Sequence, residues 1–263
     1  MMNDLREKIV HEGIAPVFAA VLAGDNPASH IYVNLKEKAS ASVGIEFRKI
    51  ILPESASQAE LLGEIHRLND DDSVSGILVQ LPLPEHFDTQ AVIDAIDPKK
   101  DVDGFHPENS RLFLEGKDCL EPVFPRAILE LARSAGKELA GRRAVVIGNS
   151  DIFGQMMTAM LRREHVVAEF VHHDKLACLS ANVLAADIVV TACGIPNLIT
   201  GDNVKDGAIV IDGGIAQVGD KVVGDVDKAS MEGRDIFLSP VPGGVGPITI
   251  ACLLANAYKA SRK

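Results

Sequence analysis

Short, continuous apolar runs recur along this chain, separated by stretches in which apolar positions return every three to four residues. Residues 16–23, 76–80, 143–148, 166–171, 188–191 and 208–211 are runs of strand length, and 47–52 reads as a further strand. Residues 32–43, 58–68, 89–96, 153–163 and 248–257 carry the helical period. Strand and helix alternate, which predicts an α/β fold with parallel sheets whose strands are covered on both faces. The pattern occurs twice. Between the two halves, residues 97–125 lack either period and read as a loop-rich inter-domain region. The expected architecture is two α/β domains with a cleft between them, the second a Rossmann-type dinucleotide-binding domain. Its expected boundaries are 1–118 plus 248–263 for the first domain and 119–247 for the second.

Composition narrows the class. A chain of 263 residues with 47% hydrophobic and 24% charged residues is ordinary for a globular protein. Aromatics are only 4% and Trp is absent, so the core is built from Ala, Val, Ile and Leu. The net charge of −11 argues against a nucleic-acid surface, which needs clustered Lys and Arg. Cys119, Cys178, Cys193 and Cys252 are scattered without a C-x-x-C pair, so neither a metal site nor a disulfide framework is expected. With no membrane-length apolar run and no signal-peptide pattern, a soluble cytoplasmic protein is expected, not a membrane partner.

One segment stands out chemically. Ser239-Pro240-Val241-Pro242-Gly243-Gly244-Val245-Gly246-Pro247-Ile248-Thr249 carries three prolines and three glycines just before the last helical run. Proline fixes φ and glycine opens conformations closed to other residues, so this loop has a prescribed shape with uncovered amides. It reads either as a surface turn that starts a helix or as a loop that presses on a flat or phosphorylated ligand.

Gly148-Asn149-Ser150-Asp151-Ile152-Phe153-Gly154 joins a strand to a helix, where a Rossmann fold meets a pyrophosphate. The next strand ends at His172-His173-Asp174, placing His173 and Asp174 where a ribose-reading carboxylate is expected. Cys193-Gly194 and Gly214-Ile215 follow two later strands, at the edge where ligands bind in open sheets. The bland alternative is that these glycines only make tight strand-to-helix turns. In the first half, Ser29, Tyr32 and Lys36 share a helical face by i, i+3, i+7 spacing. A Lys that is partly desolvated beside a hydroxyl can shuttle protons near neutral pH.

Four motifs in fixed order then identify a resemblance. They are Gly24-Asp25-Asn26-Pro27-Ala28-Ser29 with Tyr32 and Lys36, Gly76 to Pro84, Lys100-Asp101-Val102-Asp103-Gly104-Phe105-His106, and Pro240 to Thr249. Together they resemble the methylenetetrahydrofolate dehydrogenase/methenyltetrahydrofolate cyclohydrolase family, from Pro16 onward. The resemblance implies that Lys36 serves cyclohydrolase proton transfer, held by Tyr32 and Gln80. It also implies that Asp103 holds the pterin ring of a tetrahydrofolate derivative, and that Ser29, Pro242 and Gly243 line the folate site. NADP or NAD is the implied cofactor, met by Gly148, Asn149, Ser150, Gly154, His173, Asp174, Cys193, Gly194, Gly214, Ile215, Gly244 and Thr249. A homodimer built through the cofactor domains is implied as well. Asp101, by contrast, reads as a structural turn residue, and Gln80 could simply cap a strand end.

The chain departs from the family pattern mainly on the cofactor side. Pro122-Val123-Phe124-Pro125 replaces a Pro-Cys-Thr-Pro segment, Asn149 replaces an Arg that meets the 2′-phosphate of NADP, and Met156 replaces a Pro. The usual helix-and-strand lead-in before Pro16 is expected to be missing. Three functions follow: a bifunctional dehydrogenase/cyclohydrolase, a cyclohydrolase whose nicotinamide pocket is crowded by Phe124, or a non-catalytic folate- or nucleotide-binding protein. NAD is expected to be favoured over NADP, because Asp174 can accept from a ribose hydroxyl and repel a phosphate, unless Lys175 rescues phosphate binding.

Overall fold

The structure, a computed structural model, describes residues 1–178, 183, 185–219 and 221–262. The chain divides into two compact units, residues 1–123 with 250–263, and residues 124–249.

The first unit is built on strands β1 (Val17–Ala23), β2 (Glu46–Leu52) and β3 (Gly76–Val79), paired in parallel in the order β2-β1-β3. The central strand β1 is buried at every position, as its unbroken apolar run requires. Helix α1 (Met2–Glu12) precedes it, so the lead-in helix that the sequence pattern omitted is present. Helix α2 (Pro27–Val43) starts where the Asn26 side chain accepts from the N–H groups of Ala28 and Ser29, with Pro27 pre-set for the first turn. Helix α3 (Gln58–Asp70) opens on a capping box between Ser57 and Glu60. Helices α4 (Thr89–Asp94) and α5 (Pro107–Leu114) follow.

Residues 97–125 are more regular than a loop-rich segment, and the boundary between the two units falls within them, after Val123. They run beside β3, where Ile77 N–H donates to Lys100 C=O, then form α5 and the start of α6 (Val123–Arg133). Pro125 is the third residue of α6, in the first turn that tolerates proline.

The second unit is a five-stranded parallel sheet in the order β10-β7-β6-β4-β5. Its strands are β4 (Arg143–Gly148), β5 (Val167–His172), β6 (Ile188–Ala192), β7 (Ile209–Asp212) and β10 (Phe237–Leu238). A small antiparallel hairpin, β8 (Ala216–Val218) with β9 (Lys221–Val223), lies outside it. Helix α7 (Asp151–Arg163) follows β4, and the short α8 (Lys228–Met231) precedes β10. The chain leaves β4 toward β5 on one side and returns as β6 on the other. The C-terminal ends of β4 and β6 thus flank a topological switch point, the place where open α/β sheets bind ligands.

The last helix, α9, spans Val245–Ala260. It begins earlier than the sequence pattern suggested, so residues 245–249 of the Pro-Gly segment are helical and only its front half is a loop. Gly243 takes a left-handed φ of 101°, and a Cβ on Gly244 would meet Pro240 C=O at 2.4 Å.

Candidate active site

Lys36 comes from the third turn of α2 and Gln80 directly follows β3. Their side chains meet: Lys36 Nζ donates to Gln80 Oε1 at 2.6 Å. Gln80 Nε2 donates to Leu81 C=O at 2.6 Å, which fixes the amide with its oxygen toward Lys36. Gln80 is therefore more than a strand cap. Lys36 is only 9% exposed, unusual for this residue type. Burial lowers its pKa to about 8, and the carboxylate of Asp103 opposes that shift.

Asp103 shows the converse. It is half-buried, and loss of water, reinforced by the neighbouring Asp101, raises its carboxyl to about 7, while Lys36 pulls it down. Among the described residues its side chain makes no hydrogen bond. The rest of its motif is structural. Lys100 Nζ donates to the carbonyls of Leu68, Asn69 and Asp71 and so caps the end of α3. Asp101 is buried and accepts from Gly104 N–H, His106 N–H and Asn109 Nδ2. The turn reading of Asp101 is correct, and Asp103 is the carboxylate left for other work.

The shared face of Ser29, Tyr32 and Lys36 is only partly realised. Ser29 is buried with Lys36, one side of α2 being lined by Ser29, Val33, Lys36, Ser40 and Val43. Tyr32 is 40% exposed, and its hydroxyl has no hydrogen bond to Lys36 or Gln80 among the described residues.

In the second unit the glycines of the β4–α7 turn have steric reasons. A Cβ on Gly154 would lie 2.4 Å from the Phe170 ring, and one on Gly148 would lie 3.1 Å from Phe153. The helix therefore packs onto β5 at a distance only glycine allows, the role of the last glycine in dinucleotide-binding turns. Ser150 caps α7 by accepting from Phe153 N–H at 3.3 Å. Asn149 Nδ2 reaches across the switch point to Cys193 C=O at 3.2 Å, tying the ends of β4 and β6 together. The thirteen-residue α7 presents its N-terminus at that point, so the turn fits a pyrophosphate.

Other predicted cofactor residues are engaged within the protein. Gly214 N–H donates to Asp212, Cys193 N–H to Asp225, and the buried Cys193 thiol is pushed up in pKa by desolvation. The loops after β6 and β7 rest on these two buried aspartates, which the sequence reading missed. Asp225 accepts from Thr191 Oγ1, Cys193 N–H and Ile195 N–H, and Asp212 accepts from Gly214, Asp225 and Val226 N–H. A Cβ on Gly214 would strike Asp225 at 2.1 Å, and one on Gly224 would strike Asp212 at 2.0 Å. Gly194 has a left-handed φ of 69°, and Ile215 is exposed. Asp174 accepts from or pairs with His172 Nδ1 at 2.8 Å, while His173 Nδ1 is buried with no hydrogen-bond partner among the described residues. Thr249 returns its hydroxyl to Gly246 C=O within the first turn of α9. Phe124 stacks against Phe153 with centroids 5.3 Å apart, in space that the missing side chain of Gly213 leaves free.

A buried lysine held by an amide, beside a desolvated carboxylate, defines a proton-handling site in one α/β unit. The other unit carries a dinucleotide-type turn at its switch point. Comparison with known proteins places the pair. Residues 1–103 match the tetrahydrofolate dehydrogenase/cyclohydrolase catalytic domain, and 122–263 match the NAD(P)-binding domain of the same enzymes. The chain belongs to the tetrahydrofolate dehydrogenase/cyclohydrolase family. It is 46% identical to the bifunctional protein FolD of Francisella philomiragia, over all of this chain and 93% of that one. The crystal structure of the bifunctional FolD enzyme of Campylobacter jejuni superposes with a TM-score of 0.92 at 41% identity, covering 99% of this chain and 94% of that one. The Trypanosoma brucei enzyme, solved with NADP and an inhibitor, gives 0.92 at 35% identity, covering 99% and 93%. The chain is thus a bifunctional dehydrogenase/cyclohydrolase that uses a nicotinamide cofactor. Among the described residues no helix is long and apolar enough to cross a membrane.

Proposed function

We propose that Lys36 transfers the proton of the cyclohydrolase step, that Gln80 holds it in place, and that Asp103 anchors the pterin ring of 5,10-methylenetetrahydrofolate. The observation that carries this reading is the 2.6 Å bond between Lys36 Nζ and Gln80 Oε1 on a lysine whose pKa burial lowers to about 8. A general base works best with a pKa near the operating pH.

In its neutral form Lys36 has two N–H groups and one lone pair. Gln80 takes one N–H, which holds Nζ in place and leaves the lone pair available to a water. Water adds to the methenyl carbon as Nζ accepts one of its protons. Nζ then returns that proton to N5 while the C–N5 bond breaks, and the remaining hydroxyl proton passes to bulk water as the 10-formyl group forms, which balances the charge of the cationic methenyl substrate. Asp103 accepts from the ring amine and ring N–H of the pterin, which favours its ionised form and offsets the effect of burial. Ser29 contributes to the folate site, with Tyr32 at its exposed rim.

Bound NAD(P) supplies the hydride acceptor for oxidation of the methylene carbon. Gly148, Asn149, Ser150 and Gly154 would hold its pyrophosphate, and His173, Asp174, Cys193, Gly194, Gly214, Ile215, Gly244 and Thr249 complete its surroundings. Asn149 is neutral and already donates to Cys193 C=O, so it supplies no cation to a 2′-phosphate. NAD is therefore favoured, and titration calorimetry with each cofactor tests this: NADP binding about tenfold tighter than NAD would overturn it. The protein acts in the cytoplasm as a homodimer, with edge strand β5 and its exposed Val167 available for self-association. One spectrophotometric assay separates the activities: decay of the methenyl chromophore reports hydrolysis, and appearance of reduced cofactor reports oxidation. Loss of either signal in the wild-type protein would contradict the bifunctional reading.

A further inference from the structure

We infer that Asn256 is a positioning residue for Asp103, acting through the backbone on either side of that carboxylate. The inference rests on the role proposed for Asp103. Asn256 lies on α9 and is 1% exposed. Its Nδ2 donates to Val102 C=O at 2.8 Å and to Glu121 C=O at 2.9 Å. Val102 immediately precedes Asp103, and two residues after Glu121 the N–H of Val123 donates to Asp103 C=O at 3.0 Å. One amide thus ties two segments that also bond to each other at Asp103.

The fit between these segments is tight. Gly104 has a left-handed φ of 74°, and a Cβ there would lie 2.4 Å from Glu121 C=O. On the far side, the Asp101 carboxylate holds Gly104 N–H and His106 N–H. The backbone of 102–104 is therefore fixed from three directions, while the Asp103 side chain makes no hydrogen bond among the described residues. That is the arrangement expected of a preorganised ligand anchor, whose support lies in groups that never touch the ligand.

The cost to Asn256 points the same way. Two carbonyls face it, so its amide nitrogen must turn toward them, and its Oδ1 is left buried with no hydrogen-bond partner among the described residues. A buried acceptor without a donor is destabilising. A side chain chosen for stability alone gains nothing from that oxygen. What it does provide is two donors at a length that spans both carbonyls.

The test is a kinetic double-mutant cycle on the full-length enzyme, with Asn256→Leu, Asp103→Asn and the pair, read as KM for methylenetetrahydrofolate at saturating NAD(P). Asn256→Leu is expected to raise KM about tenfold, the effect of losing two buried hydrogen bonds, while cofactor Kd stays within about twofold. In the Asp103→Asn background the same substitution is expected to change KM by less than about twofold, because the carboxylate it positions is gone. Asn256→Ser keeps one donor and gives a smaller rise, about threefold, should the leucine variant not fold. A drop in Tm with KM unchanged overturns the inference, as does an equal rise in both backgrounds. If Asp103→Asn alone leaves KM unchanged, the anchoring role of Asp103 falls, and the inference falls with it.

Discussion

Lys36 and Gln80 lie 44 positions apart in sequence, yet one hydrogen bond of 2.6 Å joins them. Neither is informative alone, since a lysine on a helix is usually a solvated charge and a glutamine after a strand usually a cap. Brought together and largely shielded from water, they make an amine held in place with a pKa near the physiological range.

That pKa sets a pH profile. Cyclohydrolase kcat/KM is expected to rise with pH through about 8 as Lys36 loses its proton in the free enzyme. The Asp103 carboxylate raises the pKa of Lys36, so its removal in Asp103→Asn moves the midpoint to lower pH. A midpoint that stays in place, or moves upward, would show that some other group controls the step.

Asp103 also links stability to pH. Its folded-state pKa of about 7 lies above the ordinary 3.8, so between those values the folded state keeps a proton that the unfolded state has lost. The contribution is fully present below about pH 4 and is lost as pH rises through 7. Relative to wild type, Asp103→Asn should therefore gain stability between pH 5 and pH 8, a difference in Tm shift of roughly 2–4 °C. Thermal melts of the two proteins at both pH values measure it, and parallel shifts would refute the linkage.

Gly154 tests the cofactor turn. An added Cβ would meet the Phe170 ring at 2.4 Å, so Gly154→Ala forces α7 away from β5. The expected cost is about 1–3 kcal/mol, with weaker NAD(P) binding. Shrinking the obstacle in Gly154→Ala/Phe170→Leu should restore part of both. No recovery in the double variant would mean the glycine serves another purpose.

How much of this was legible depends on the range of the interactions. The buried parallel strands β1, β4, β6 and β7 announce themselves as unbroken apolar runs, because both faces of each are covered. Helix α1 did not, since it buries only Leu5 and Ile9 while Val10 stays exposed. Helix α5 was hidden among Pro, Gly and Asp residues, and its start depends on His106 accepting from Glu108 N–H. The β8–β9 hairpin is mostly exposed and carries no alternation to read. In the sites, Lys36, Gln80 and Asp103 were reached through motif resemblance, and Asp101 through its turn chemistry. Asp212, Asp225 and Asn256 were not reached. Asp225 and Asn256 exert their effect on residues distant in sequence, such as Thr191 and Val102, which no local pattern reveals.

The central claim is that the Lys36 amine moves the proton in hydrolysis, and Lys36→Met tests it most directly. Methionine keeps the bulk of the side chain and removes a buried charge, so Tm should hold or rise. Cyclohydrolase turnover, followed as methenyltetrahydrofolate decay, should fall at least about a hundredfold, with dehydrogenase turnover falling less than about tenfold. A folded Lys36→Met enzyme that hydrolyses methenyltetrahydrofolate at the wild-type rate would contradict the account.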